Sequence, residues 1–151
     1  MTMASELEAA LADARAAAED LEQLDDSISA LIPEVEEALR GLRLGVRLHV
    51  CMEEGQWHKS LVFDKHAGAW RLLIAQGPDP ALADPDDWKE TPLASAPRDE
   101  RALVFGHYLR ELVLSAGEQL KAKASERRRA IEATSTVVES LRKARAQKAR
   151  S

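Results

Sequence analysis

The sequence predicts an α+β fold in which two long helices flank a three-stranded antiparallel β-meander. Three observations support this helix–βββ–helix order: apolar residues at seven-residue spacing in the first third, alternation with period two in the middle, and a helical apolar face in the last third. The chain has 151 residues, 45% of them apolar and 4% aromatic. This length predicts one domain over residues 1–151, with the two helices packed as an antiparallel, coiled-coil-like pair.

Residues 5–42 are predicted to form an acidic helix. Its apolar stripe follows a strict seven-residue spacing, with further apolar residues three or four positions away. The first set is Leu7, Ala14, Leu21, Ile28, Val35 and Leu42, and the second is Leu11, Ala18, Leu24, Leu31 and Leu39. Ser5 is the predicted N-cap, because its hydroxyl could accept a hydrogen bond from a free N–H of the first turn. Pro33 has no N–H to donate, so we expect a kink near residues 28–33.

Residues 45–76 alternate between apolar and polar side chains in three consecutive segments, which predicts a β-meander. Glu54 and Gly55 suit a tight first turn, and a four-residue second loop is expected over 65–68. The resulting register pairs Met52 with Trp57, Leu48 with Leu61, Val46 with Phe63, Phe63 with Trp70, and Leu61 with Leu72.

Residues 77–98 contain five prolines and are predicted to form a loop that returns the chain to the helices. Trp88 lies in its acidic middle. The favoured interpretation is that Trp88 pins the loop to the body of the protein, and the alternative is an exposed anchor for a partner. A second long helix is predicted over 98–147.

Charge divides the chain unevenly. Residues 1–44 carry eleven acids and three bases (net −8), and residues 99–151 carry seven acids and twelve bases (net +5). The five bases at the C-terminal end of the second helix, Arg142, Lys143, Arg145, Lys148 and Arg150, are candidate phosphate contacts for a nucleic acid. The competing interpretation is that these bases offset the acidic first helix and the negative end of their own helix dipole.

The predicted register places Cys51 opposite His58, with His49 opposite Ser60 on the same face. A thiol beside an imidazole could form a nucleophilic thiolate, and two histidines with a cysteine could bind zinc. The alternative to either site is that these residues simply lie on a solvated face of the sheet. Neither a phosphate-binding glycine loop nor a paired CxxC motif is present, so we assign no catalytic residue, metal or cofactor.

The apolar runs are too short to predict a membrane span, and the first residues do not resemble a secretory signal. A lone cysteine suits a reducing compartment, which predicts a cytoplasmic protein.

The preferred hypothesis is a non-enzymatic scaffold or adaptor that binds a second copy of itself, as a dimer, or another protein through its helices. The alternatives are a nucleic-acid-associated protein and a small thiol- or metal-dependent enzyme. The predicted contact residues are Leu21, Ile28, Leu31, Val35, Leu109, Leu112, Leu120, Ile131 and Val138.

Overall fold

The computed structural model describes residues 2–81 and 84–150. Its helices and strands, in chain order, are α1 (Met3–Gly41), β1 (Leu48–Glu53), β2 (Trp57–His66), β3 (Ala69–Pro78), β4 (Lys89–Pro92), α2 (Arg98–Leu103) and α3 (Leu109–Arg150). The predicted α+β order of helix, antiparallel sheet and helix is confirmed. The sheet has four strands, so the prediction of three is wrong.

By its internal contacts the chain falls into two units, residues 1–113 and residues 114–151. The first contains α1, the sheet, α2 and the first turn of α3. The second, in its described part, consists of the remaining residues of α3. Two predictions depend on how these units are arranged: that the chain is a single domain, and that its two long helices pack as an antiparallel pair. Both stay predictions.

The additional strand, β4, lies within the predicted loop 77–98 and pairs with β3 at the edge of the sheet. It is only four residues long and ends at Pro92. Proline is tolerated in an edge strand because its missing N–H would face away from the ladder. This strand was not predicted because its region contains prolines and lacks an alternating apolar pattern.

The two hairpins use a register that differs by two residues from the prediction. Leu48 faces Phe63 instead of Leu61, and Phe63 faces Leu72 instead of Trp70. The second hairpin closes with a two-residue turn, Ala67 and Gly68, both with positive φ. The first hairpin has a longer turn and a bulge next to it in β1. A shift of two residues keeps each side chain on its predicted face, so the predicted apolar face is retained.

That apolar face forms the main core of residues 1–113. Its fully or nearly fully buried side chains are Leu48, Leu61, Phe63, Leu72 and Ile74. The second half of α1 contacts β3 and contributes buried Ile32 and Leu39. Val104 and Leu112, from the start of the second helical region, are also fully buried.

Beyond the end of β4, two side chains of α1 form hydrogen bonds with backbone groups along the free edge of β3. The last pairing with β4 is Leu73 with Pro92. One residue earlier, the backbone N–H of Leu72 donates to Glu36 Oε2 at 2.8 Å, and the Trp70 carbonyl accepts from Arg40 Nη1 at 2.9 Å. Glu36 and Arg40 are one helical turn apart, which matches the spacing of alternate groups along one strand edge.

Both helical regions begin close to their predicted positions. Helix α1 starts at Met3 with Thr2 as its N-cap, so the prediction of Ser5 as the cap is wrong; the Ser5 N–H instead donates to Thr2 Oγ1 at 3.3 Å. Helix α1 continues through Pro33, and the kink stays a prediction. The second region begins after Pro97 and changes to a π-helical turn over Val104–Tyr108 between α2 and α3.

Candidate functional site

The first half of α1 carries an apolar stripe that the chain itself leaves exposed. We call residues 3–26 the acidic segment, because it contains eight acids and one base. All its side chains are exposed except that of Asp25, which is half-buried. The four leucines of the stripe, Leu7, Leu11, Leu21 and Leu24, are 60%, 54%, 60% and 54% exposed. An exposed row of leucines is a surface that gains free energy when a partner covers it.

The predicted contact residues of α1 lie at the transition from this stripe to the core. Leu21 and Leu31 are exposed, whereas Ile28 and Val35 are half-buried. The sequence pattern runs evenly across the transition, because the seven-residue spacing does not distinguish core from free surface. Three exposed leucines of the same stripe, Leu7, Leu11 and Leu24, were not among the predicted contact residues.

The predicted contact residues of the second helix also divide into two groups. Leu112 is fully buried and belongs to the core, as expected for some of the predicted contact residues. Leu109 and Leu120 are half-buried. Ile131 and Val138 are exposed, as is Leu141, which the prediction did not include.

The basic end of α3 is helical and exposed. We call residues 121–150 the basic segment, because it contains ten bases and three acids. Every side chain from 126 to 150 is exposed, and this includes the five predicted phosphate contacts Arg142, Lys143, Arg145, Lys148 and Arg150. The basic segment contains no aromatic residue on which a base could stack.

The second face of the sheet carries an open groove of about 410 Å³. His49, Cys51 and His58 all contribute to its lining, so the prediction that they share one face is confirmed. Their predicted pairing is wrong: Cys51 faces Ser60 and His49 faces Val62. The two-residue difference in register moved His58 away from the cysteine while keeping it on the same face.

The chemistry of this groove does not favour a nucleophile. Desolvation, followed in size by the neighbouring Glu54 carboxylate, raises the pKa of the Cys51 thiol above its ordinary value. A raised pKa lowers the thiolate fraction at neutral pH, whereas a nucleophilic cysteine needs a lowered one. Within 2–81 and 84–150, no group of three or more His, Cys, Asp or Glu side chains is arranged to hold a metal ion.

An arginine at the edge of the groove is already paired with two carboxylates. Arg47 Nη1 lies 2.8 Å from Asp64 Oδ2 and also binds Glu90 of β4. Its charge is therefore offset within the chain, so the groove presents no obvious anion-binding cation at this position. This bridge could not be predicted from the sequence, because Glu90 lies in β4, which was not predicted.

Trp88 is half-buried and packs over the second face of the sheet. It contacts the small buried cluster formed by Val62, Leu73 and Ala75. Its indole lies so close to Gly77 that a Cβ atom built there would be 2.7 Å from the ring. The structure thus supports the favoured interpretation, in which Trp88 pins the loop to the body of the protein.

None of the helices in the described ranges combines the length and the apolarity needed to cross a membrane. Comparison of the chain with known protein families, with curated proteins and with solved structures gave no match.

Proposed function

We propose that this protein is a non-enzymatic interaction protein that associates through helix-on-helix packing of its acidic segment. The observation that carries the proposal is the exposed stripe of Leu7, Leu11, Leu21 and Leu24 in the acidic segment, the part of α1 that does not belong to the core. The raised pKa of the Cys51 thiol argues against the alternative of a thiolate nucleophile at this position. The proposal places the protein in the cytoplasm, where a single exposed thiol such as Cys51 stays reduced.

Leaving the apolar face of a long helix uncovered costs free energy. Helices in water are marginal on their own and gain most of their stability from packing an apolar face. Burying one leucine side chain contributes roughly 1.5–3 kcal/mol, so four leucines offer about 6–12 kcal/mol before the costs of association are subtracted. This gain is of the same order as the cost of association, so it favours pairing with a second amphipathic helix when flanking contacts add to it.

The proposal is tested by measuring self-association of the full chain with size-exclusion chromatography and light scattering. We expect the wild-type chain to associate, and the double variant Leu11→Gln, Leu21→Gln to require at least tenfold higher concentration. The matched control is Ala9→Gln, Ala16→Gln, which makes the same polar additions on the opposite side of the helix. A wild-type chain that stays monomeric, or equal loss in both variants, would contradict the proposal.

A second candidate function is association with nucleic acid, which the exposure and charge of the basic segment favour. Neutralising phosphates releases counterions, so such binding would weaken steeply with salt. We expect any such binding to be lost when Arg142, Lys143 and Arg145 are replaced by Gln. A duplex or single strand that binds this variant as tightly as wild type would exclude the candidate.

A further inference from the structure

We infer that the acidic segment of one copy of the chain pairs with the basic segment of a second copy. This inference rests on the proposed function and adds to it the identity of the partner and of the surface that the partner contributes. It follows from three properties of the two segments: their exposure, their charge and their apolar spacing.

Exposure is the first property. In the single chain the leucine stripe of the acidic segment is at least half exposed at Leu7, Leu11, Leu21 and Leu24. In the basic segment Ile131 is 66% exposed and Leu141 is 65% exposed, with Val138 at 38%. Each segment therefore presents apolar side chains that its own residues leave uncovered.

Charge identifies which surfaces belong together. The acidic segment carries a net charge of −7, and the basic segment carries +7 from ten bases and three acids. Two acidic segments packed together would place like charges along both flanks of the interface, which costs free energy and selects against that pairing. An acidic segment beside a basic segment places opposite charges along the same flanks.

The lengths and the apolar patterns of the two segments are also compatible. At 1.5 Å per residue, 24 helical residues extend over about 36 Å and 30 residues over about 45 Å. Ile131 and Val138 are seven residues apart, the same interval that separates Ala14 from Leu21. Two helices with this common period keep their apolar seams in contact over several turns.

A nucleic acid would compete for the same bases but would leave the apolar residues uncovered. Ile131, Val138 and Leu141 gain nothing from phosphate contacts, whereas an amphipathic helix satisfies both the charges and the apolar side chains. This is why we favour a second copy of the chain over a nucleic acid as the occupant of the basic segment.

The test uses two charge-reversal variants of the full chain. The acid-reversal variant carries Asp13→Lys, Asp20→Lys and Glu22→Lys. The base-reversal variant carries Lys121→Glu, Arg128→Glu and Arg142→Glu. All six positions are exposed and helical, and circular dichroism verifies that each variant is folded. The matched control reverses three exposed bases outside both segments, Lys65→Glu, Lys89→Glu and Arg98→Glu.

We expect each reversal variant alone to associate at least tenfold more weakly than wild type, with the control unchanged. Mixing the two variants restores association, because the native acidic segment of one variant, with a net charge of −7, then meets the native basic segment of the other, with a net charge of +7. Light scattering of the equimolar mixture, compared with each variant alone at the same total concentration, measures the restoration. Association of the wild-type chain also weakens as salt is raised.

Two outcomes would overturn the inference while leaving the proposed function intact. Normal association of the base-reversal variant would show that the acidic segment pairs with something other than the basic segment. Loss of wild-type association after nuclease treatment would show that a nucleic acid bridges the copies. A monomeric wild-type chain, by contrast, would contradict the proposed function itself.

Discussion

Among the seven glycines, Gly77 is the one at which an added Cβ atom would clash with a neighbour. It lies in β3 opposite His58, and the indole of Trp88 covers it. Hydrogen is the only side chain that fits, because a Cβ atom would lie 2.7 Å from ring carbons. The glycine thus allows the loop before β4 to close over the second face of the sheet.

We predict that Gly77→Ala destabilises the protein by about 1–3 kcal/mol, because the methyl group displaces the indole of Trp88. Urea unfolding followed by circular dichroism and tryptophan fluorescence measures the change. Gly117→Ala is the control: this helical glycine has nothing within 4 Å of a built Cβ, and alanine there stabilises a helix by up to about 1 kcal/mol. Equal effects of the two substitutions would refute the role assigned to Trp88.

The reactivity of the Cys51 thiol is expected to depend on pH in a way that its surroundings determine. Because desolvation and the Glu54 carboxylate raise its thiol pKa, the thiolate appears at higher pH than in an ordinary cysteine. We expect the midpoint of iodoacetamide alkylation against pH to lie above that of the urea-unfolded chain. Glu54→Gln should move the midpoint down towards it. A midpoint below that of the unfolded chain would instead support a reactive thiol.

At the scale of elements, α1 changes its role along its length. Its first half is an exposed acidic surface, whereas its second half contributes Ile32 and Leu39 to the core. The same second half uses Glu36 and Arg40 to satisfy backbone groups of β3 beyond the end of β4. An uncovered strand edge invites pairing with other chains, so these contacts also protect the sheet.

We predict that Glu36→Ala costs about 1–3 kcal/mol of unfolding free energy, because the partly buried N–H of Leu72 loses its acceptor. Glu36→Gln should cost less, since its amide oxygen can still accept. Glu37→Ala is the matched control, because Glu37 is the neighbouring, exposed carboxylate. Thermal and urea unfolding of the three variants provide the measurement, and indistinguishable stabilities of Glu36→Ala and Glu37→Ala would count against this contact.

At the scale of the whole molecule, stability and interaction are expected to reside in different residues. The buried side chains come from the second half of α1, the sheet and the helical turns near Val104 and Leu112. The exposed apolar stripes lie in residues 3–26 and 121–150. Local opening of residues 3–26 and 121–150 costs little free energy, whereas opening of the buried core costs almost as much as global unfolding.

Hydrogen exchange with mass spectrometry tests this division. In dilute solution we predict slow exchange for β2, β3 and residues 28–41, and fast exchange for residues 3–24 and 126–150. At concentrations that permit association, the acidic and basic segments should gain protection together, as the inferred pairing requires. Protection of only one segment at high concentration would contradict that pairing.

Much of the fold was predictable because short-range sequence patterns indicate where most of its helices and strands lie. Period-two alternation located β1, β2 and β3, and seven-residue spacing located α1, since both arise from residues that are neighbours in the chain. The strand β4 escaped prediction because Pro92 and its four-residue length gave it no pattern. The hairpin registers were wrong by two residues because turn lengths depend on local backbone geometry, which apolar alternation leaves undetermined.

For the candidate site, the sequence by itself determined the charge of the two segments and the apolar stripes along them. Only the tertiary structure decided which parts of those stripes are core: Leu112 and Ile32 are buried, whereas Leu11 and Ile131 are exposed. The physical reason is that periodicity records which face of a helix is apolar, while burial depends on where the sheet ends. Likewise, the groove at Cys51 is lined partly by Trp88, which only the tertiary structure brings back to the sheet.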